Sequence, residues 1–236
     1  MSRKLWLVDN STILFQGDSI TDFGKKSNYN ESLGAGYAML TAACLSASHP
    51  EHLIKFYNRG VRGDRIRDLR YRWKKDCLDL RPNLVSILIG INDVVDSSFW
   101  RRGLRRNLIS ILNEDNDYLL KSFWERSTSI ESFNSDYTSI LKQTQQSKCQ
   151  IVLLEPFLIN SSGKFFELTK ELHKNIGVIR ELAREFDATL IPLNNIFMNA
   201  CLKRGPSFWS LDGVHPTLAG HALIAQSWIK GVIGQQ

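Results

Sequence analysis

The stretch Ile13-Leu14-Phe15-Gln16-Gly17-Asp18-Ser19-Ile20-Thr21-Asp22 decides how the rest of the chain is read. A short apolar run ends in a glycine, and a serine follows two positions later. The run has the make-up of a buried strand, and Gly17 supplies a backbone that turns sharply where a side chain would clash. Ser19 then stands at the carboxyl end of a strand, where open α/β sheets carry their reacting groups. A serine is a poor nucleophile until a base takes its proton. Taken alone, Asp18, Ser19 and Thr21 fit the capping of the next segment equally well.

Further apolar runs suited to buried strands lie at 53–57, 84–89, 151–154 and 189–193, beside the first at 12–15. Segments with helical spacing lie between them. They are 36–47, the basic stretch 62–75, the set Ile130, Phe133, Tyr137 and Leu141, and the series Leu168, Leu172, Ile176, Ile179, Leu182 and Phe186. A last one at 217–229 is opened by Pro216 from the first helical position. Strand and helix alternate throughout, which predicts a three-layer α/β/α sandwich around a five-stranded parallel sheet. The 236 residues fit one domain, 1–236. Residues 95–127 are the exception: a long, charged, aromatic-bearing insertion that reads either as a lid or interface element or as a plain surface excursion.

Composition narrows the function classes. A hydrophobic share of 43% and a charged share of 23% belong to an ordinary globular protein, with no apolar run long enough to cross a bilayer. The amino terminus has only a four-residue apolar stretch, too short for a secretory signal, so the expected location is cytoplasmic. Four scattered cysteines suggest neither a disulfide framework nor a zinc site, and no metal is expected. Gly34-Ala35-Gly36 starts like a dinucleotide fingerprint, but Met39 stands where the third glycine belongs and no strand precedes it. No cofactor is expected. The net charge of +6 collects in Arg101-Arg102-Gly103-Leu104-Arg105-Arg106 and in 62–75. In the second stretch Ile66, Leu69, Trp73, Cys77 and Leu80 form one apolar stripe, so its cations read as a solvated face rather than a nucleic-acid footprint.

The ends of the runs carry the chemistry. After the first comes Gly17-Asp18-Ser19, after the second Asn58-Arg59-Gly60, after the third Gly90-Ile91-Asn92-Asp93. Near the carboxyl terminus stands Leu211-Asp212-Gly213-Val214-His215-Pro216. In a parallel sheet the first three share one edge. Each supplies a part that acyl transfer needs. Ser19 can attack a carbonyl, and His215 can take its proton and return it to the leaving alcohol, a role worth about 100- to 10,000-fold in rate. Asp212, three residues earlier, can hold the imidazole tautomer. The Ser19 N–H, the Gly60 N–H and the Asn92 side-chain amide are candidate donors to the oxyanion. Gly60 suits a backbone that the substrate oxygen must approach closely. Each motif alone is commonplace turn chemistry; their order and placement together point to a catalytic site.

These blocks resemble the SGNH hydrolase family, also called GDSL esterases or lipases. Gly17-Asp18-Ser19-Ile20 matches its first block, Gly60 its second, Asn92 its third, and Asp212 with His215 its fifth. The resemblance implies a flavodoxin-like sheet, a Ser19–Asp212–His215 triad, and an oxyanion hole of Ser19, Gly60 and Asn92. Asp68-Leu69-Arg70-Tyr71-Arg72-Trp73, Ile87 to Val94, Glu155-Pro156-Phe157 and Trp209 to His221 resemble a bacterial subgroup that contains acetylxylan esterases. Asp64 stands where that subgroup has asparagine, and 95–127 is longer. Trp209 fits either a wall of the acyl pocket or a core tryptophan beside the loop.

The expected protein is therefore a serine esterase that removes short acyl groups, acetyl first, from a carbohydrate such as a xylo-oligosaccharide through an acyl-enzyme. A lysophospholipase or thioesterase acting on longer chains is the rival enzyme. A non-catalytic sugar- or lipid-binding module is the rival outside enzymes. The expected partner is a small-molecule or oligosaccharide ester, with no nucleic acid and no integral membrane association; a homo-oligomer stays open.

Overall fold

Strand β1 (Thr12–Gly17) runs between β2 (Lys55–Asn58) and β3 (Leu84–Leu88), and β4 (Gln150–Leu154) and β5 (Thr189–Ile191) continue the sheet. The order is β2-β1-β3-β4-β5 and every pairing is parallel. The structure is a computed structural model that describes residues 9–25, 32–94, 128–159 and 166–234. The expected insertion at 95–127 and the Arg101–Arg106 cluster lie outside the described residues.

Alternation along the strands sorts the side chains into two cores. Ile13, Phe15, Leu88, Val152 and Leu154 face α1 (Tyr37–Ser48), α6 (Leu193–Lys203) and α8 (Leu218–Val232). Leu14, Val85, Ile87, Ile151 and Leu153 face α2 (Ile66–Asp76), α4 (Ile130–Gln146) and α5 (Phe166–Glu185). Both faces are covered, so the strands read as continuous apolar runs. Each core holds a large indole whose N–H is satisfied: Trp228 donates to Ser86 Oγ at 2.9 Å and Trp73 to Thr144 Oγ1 at 3.1 Å. This is the three-layer α/β/α sandwich around a five-stranded parallel sheet that the sequence predicts.

Four local expectations change. The 189–193 run stops as a strand at Ile191, because Pro192 offers no N–H to a ladder and Leu193 already opens α6. Pro216 is not the first helical residue: α8 starts at Leu218, Thr217 caps it by accepting from Gly220 N–H, and Pro216 bridges Ser210 instead. The apolar stripe of α2 ends with the helix at Asp76, and Leu80 falls in a 3₁₀ turn (Leu78–Leu80). The cations of 62–75 are not all solvated. Arg65 is buried, and Arg72 turns inward to an ion pair with Asp64 at 2.8 Å.

β1 is where the chain's winding reverses, with β2 on one side and β3 on the other. The crevice at its carboxyl end is the natural binding place of such a sheet. Ser19, Gly60 and Asn92 all follow strands that end there, the last on the short α3 (Ile91–Val94).

Candidate active site

The turn after β1 is tight because Gly17 has no side chain: a Cβ there would collide with the Leu88 carbonyl and Thr21 Oγ1. Asp18 Oδ1 then accepts the Ile20 N–H at 2.9 Å, and the Asp22 N–H closes on the Asp18 carbonyl at 2.9 Å. Ser19, between these two bonds, is buried. Its Oγ lies 3.0 Å from His215 Nε2.

The histidine loop is organised around Asp212. Asp212 Oδ1 accepts the N–H groups of His215 at 2.7 Å and Val214 at 3.0 Å, while Oδ2 lies 2.8 Å from His215 Nδ1. Burial works against this carboxylate's charge. The ring bond from His215, its charge and the two N–H groups outweigh that and hold the pKa at about 2. The carboxylate therefore fixes Nδ1 as the protonated nitrogen and leaves Nε2 able to accept from Ser19. The ends of the loop are pinned by the Ser210–Pro216 bridge, and its middle by the Ile159 N–H bonded to the Gly213 carbonyl at 2.7 Å. Val214 packs with Ile91, Leu172 and Ile176, so the neighbours of His215 and Asn92 share one apolar cluster.

Asn92 is buried, and its Nδ2 donates one proton to the Asp64 carbonyl at 3.0 Å, which leaves its second N–H for another acceptor. The Gly60 N–H donates to Asn58 Oδ1 at 3.0 Å. A nearer cause than an approaching substrate makes residue 60 a glycine: a Cβ would stand 2.7 Å from Thr21 Cβ and from Asp22 N. Trp209 sits apart from the serine–histidine pair in its contacts. Its Nε1–H bonds the Arg204 carbonyl at 3.0 Å, and its ring packs edge-on to Phe208 and against the α1/α8 core. Trp209 is partly buried, packed on the edge of that core three residues before Asp212.

Several residues around the site were not singled out from the sequence. Asn58 Nδ2 donates to the Thr21 carbonyl at 2.7 Å and the Leu33 carbonyl at 2.9 Å, tying the Ser19 turn and the segment before α1 to the end of β2. Tyr37 Oη is 3.0 Å from Thr21 Oγ1, and the Tyr37 N–H donates to His221 Nδ1 at 3.2 Å. His221 so supplies to α1 the cap its own sequence lacks. Burial, with the charge of His215, lowers the His221 pKa to about 4 and keeps it neutral. The one local signal was position: Asn58 directly follows the 53–57 run and precedes Arg59-Gly60.

The profile of the GDSL-like lipase/acylhydrolase family matches residues 15–223. An acetylxylan esterase from Geobacillus stearothermophilus is 28% identical over 224 residues, 93% of each chain. The crystal structure of Axe2, an acetylxylan esterase from that organism, superposes with a TM-score of 0.81 at 27% identity, covering 98% of this chain and 97% of that one. A candidate GDSL-like lipase from Parabacteroides merdae superposes at 0.79 with 31% identity, covering 99% of this chain and all of the other.

Proposed function

This chain belongs to the GDSL-like lipase/acylhydrolase family and is a carboxylic ester hydrolase, and we propose that it removes short acyl groups, acetyl first, from a carbohydrate through an acyl-enzyme. The observation that carries the mechanism is the unbroken relay Ser19 Oγ–His215 Nε2, His215 Nδ1–Asp212 Oδ2, at 3.0 and 2.8 Å. Ser19 Oγ attacks the ester carbonyl as His215 takes its proton. The oxyanion accepts from Ser19 N–H, Gly60 N–H and the second N–H of Asn92. As a charged acceptor it outcompetes the neutral Asn58 amide oxygen for Gly60. Collapse expels the alcohol, which receives the proton from His215. A water then loses a proton to His215, attacks the acyl carbon and frees the acid and Ser19. Trp209 is assigned a supporting part beneath the loop.

The carbohydrate acetyl ester is supported by the acetylxylan esterase relatives, which match nearly end to end. The chain's four cysteines, none in a disulfide, fit a reducing, cytoplasmic setting. Among the described residues no helix is long and apolar enough to cross a membrane. One observation favours the longer-chain alternative: Leu211, beside Asp212, is 86% exposed and Leu218 is 69% exposed, apolar surface at the rim of the loop.

The deciding experiment is hydrolysis of 4-nitrophenyl esters from acetyl to decanoyl, followed by acetate release from acetylated xylo-oligosaccharides, with Ser19→Ala as the control. Turnover that peaks at acetyl, extends to the oligosaccharide and vanishes in the variant is expected. A maximum at octanoyl or beyond moves the substrate to lipids. Activity surviving in Ser19→Ala overturns the mechanism.

A further inference from the structure

Gln16 is a fully buried polar side chain on β1, on the same face as Leu14, where an unpaired amide would be costly. Its Nε2 donates to the Asp76 carbonyl at 2.7 Å, and its Oε1 accepts from Arg72 Nη1 at 2.9 Å. The same guanidinium extends further. Nε donates to Asp64 Oδ2 at 2.8 Å, Nη1 also reaches Asp76 Oδ2 at 3.2 Å, and Nη2 points to the Gly17 carbonyl at 3.4 Å. Asp64 in turn uses its own carbonyl to hold Asn92 Nδ2 at 3.0 Å.

We propose that Arg72 is a positioning residue that locks the Ser19 turn and the Asn92 amide into one rigid constellation; this rests on the reading of the site given above. Arg72 touches no reacting atom. It grips Gly17, two residues before the nucleophile, and the carboxylate of the residue whose carbonyl orients the oxyanion amide. One planar group with donors in a fixed fork spans both loops, which a single ammonium cannot do. Its side chain is 14% exposed, so solvent competes little for these bonds.

Attachment of α2 does not explain the arrangement. That helix is already anchored by Ile66, Leu69 and Trp73 in the core and by the Ile66 N–H on the Asp93 carboxylate at 3.1 Å. Apart from the bond to Asp76 within α2, the Arg72 bonds go to the two strand-end segments that converge on the crevice, through Gln16, Gly17 and Asp64. Misplacing a reacting group by about 1 Å costs on the order of 100-fold in rate, so a residue that sets this spacing acts on kcat and not on substrate affinity.

The test is kcat per active site, with sites counted by stoichiometric capture of Ser19 with a phosphonate ester and turnover followed on 4-nitrophenyl acetate. For Arg72→Met the titratable fraction should stay near that of the parent, kcat per site should fall about 30-fold, and KM should stay within about twofold. Arg72→Lys keeps the charge beside Asp64 and so keeps the fold, but it cannot bridge both loops; a fall of about 10-fold is expected. If Arg72→Met does not fold, Arg72→Lys alone decides. A lower titratable fraction with unchanged kcat per site in the variants makes Arg72 merely structural and overturns the inference. Turnover surviving in Ser19→Ala overturns the reading of the site and this inference with it, an outcome distinct from a silent Arg72.

Discussion

Two aspartates flank the same serine–histidine pair, one in the turn after β1 and one in the loop before α8, and their surroundings drive them in opposite directions. Asp212 accepts four hydrogen bonds, from Ser210 Oγ, the Val214 and His215 N–H groups and the His215 ring, and its pKa drops to about 2. Asp18 accepts one, from Ile20, and its Oδ2 is buried with no partner among the described residues. Burial is the largest influence on it, and the Ile20 bond and the charge of His215 do not compensate, so its pKa rises to about 7. The contrast separates two uses of one residue type. In the loop a carboxylate is kept charged to hold an imidazole; in the turn a carboxyl is enclosed to shape a backbone.

Asp212→Asn should break the contrast most severely. It keeps the shape but lets the imidazole take the wrong tautomer, and kcat on 4-nitrophenyl acetate should fall by about 10,000-fold with little change in Tm. More than a tenth of the activity remaining would show that the loop carboxylate does not serve His215. Gly60→Ala attacks the turn instead. Its Cβ presses on Thr21 and Asp22, so kcat should fall by about 100-fold and Tm should drop together with it. A wild-type kcat would mean that the turn tolerates displacement.

Asp18→Asn tests the turn's carboxyl through stability. The folded-state pKa of about 7 lies above the ordinary aspartate value of 3.8, so protonation favours the folded chain. That contribution is present below about pH 4 and is lost as pH rises to about 7, up to about 4 kcal/mol in all. Asp93, also buried and raised to about 7, works in the same window. Thermal melts from pH 4 to 8 should therefore show the Tm of Asp18→Asn gaining on the parent as pH rises. Parallel melting curves would mean that the carboxyl is not held protonated. His221→Gln gives the smallest effect, with the opposite sign. A folded pKa of about 4 against 6.5 means the neutral ring favours folding, and stability is lost as pH falls from about 6.5 to 4, by about 3 kcal/mol. The variant should lose less Tm over that range than the parent, and an equal loss would remove His221 as the source.

How much of this was legible in advance follows the range of the interactions. The four strand-end blocks are local patterns, each a few residues long, and Asp212 reaches His215 over only three residues; such arrangements can be read directly. The glycine at 60 was legible as a special position but its cause was not, because the colliding atoms belong to Thr21 and Asp22, nearly 40 residues earlier. The basic stretch of α2 misled for a related reason. Arg72 sits at the margin of the stripe Leu69–Trp73, and only the arrival of Gln16 and Asp64 beside that margin turns it inward.

By itself the amino-acid order determined the alternation of buried strands and amphipathic helices, the parallel sheet that follows from it, and the choice of Ser19, Asp212 and His215 as the candidate triad. Hydrophobic periodicity and turn chemistry act between near neighbours, and a linear chain displays them openly. Tertiary structure alone decided that Ser19 Oγ lies 3.0 Å from a histidine 196 residues away, that His221 caps α1, and that one guanidinium ties two loops together. Those depend on which segments the sheet order makes adjacent, and a polar side chain finds its partner only after burial has removed water as the alternative.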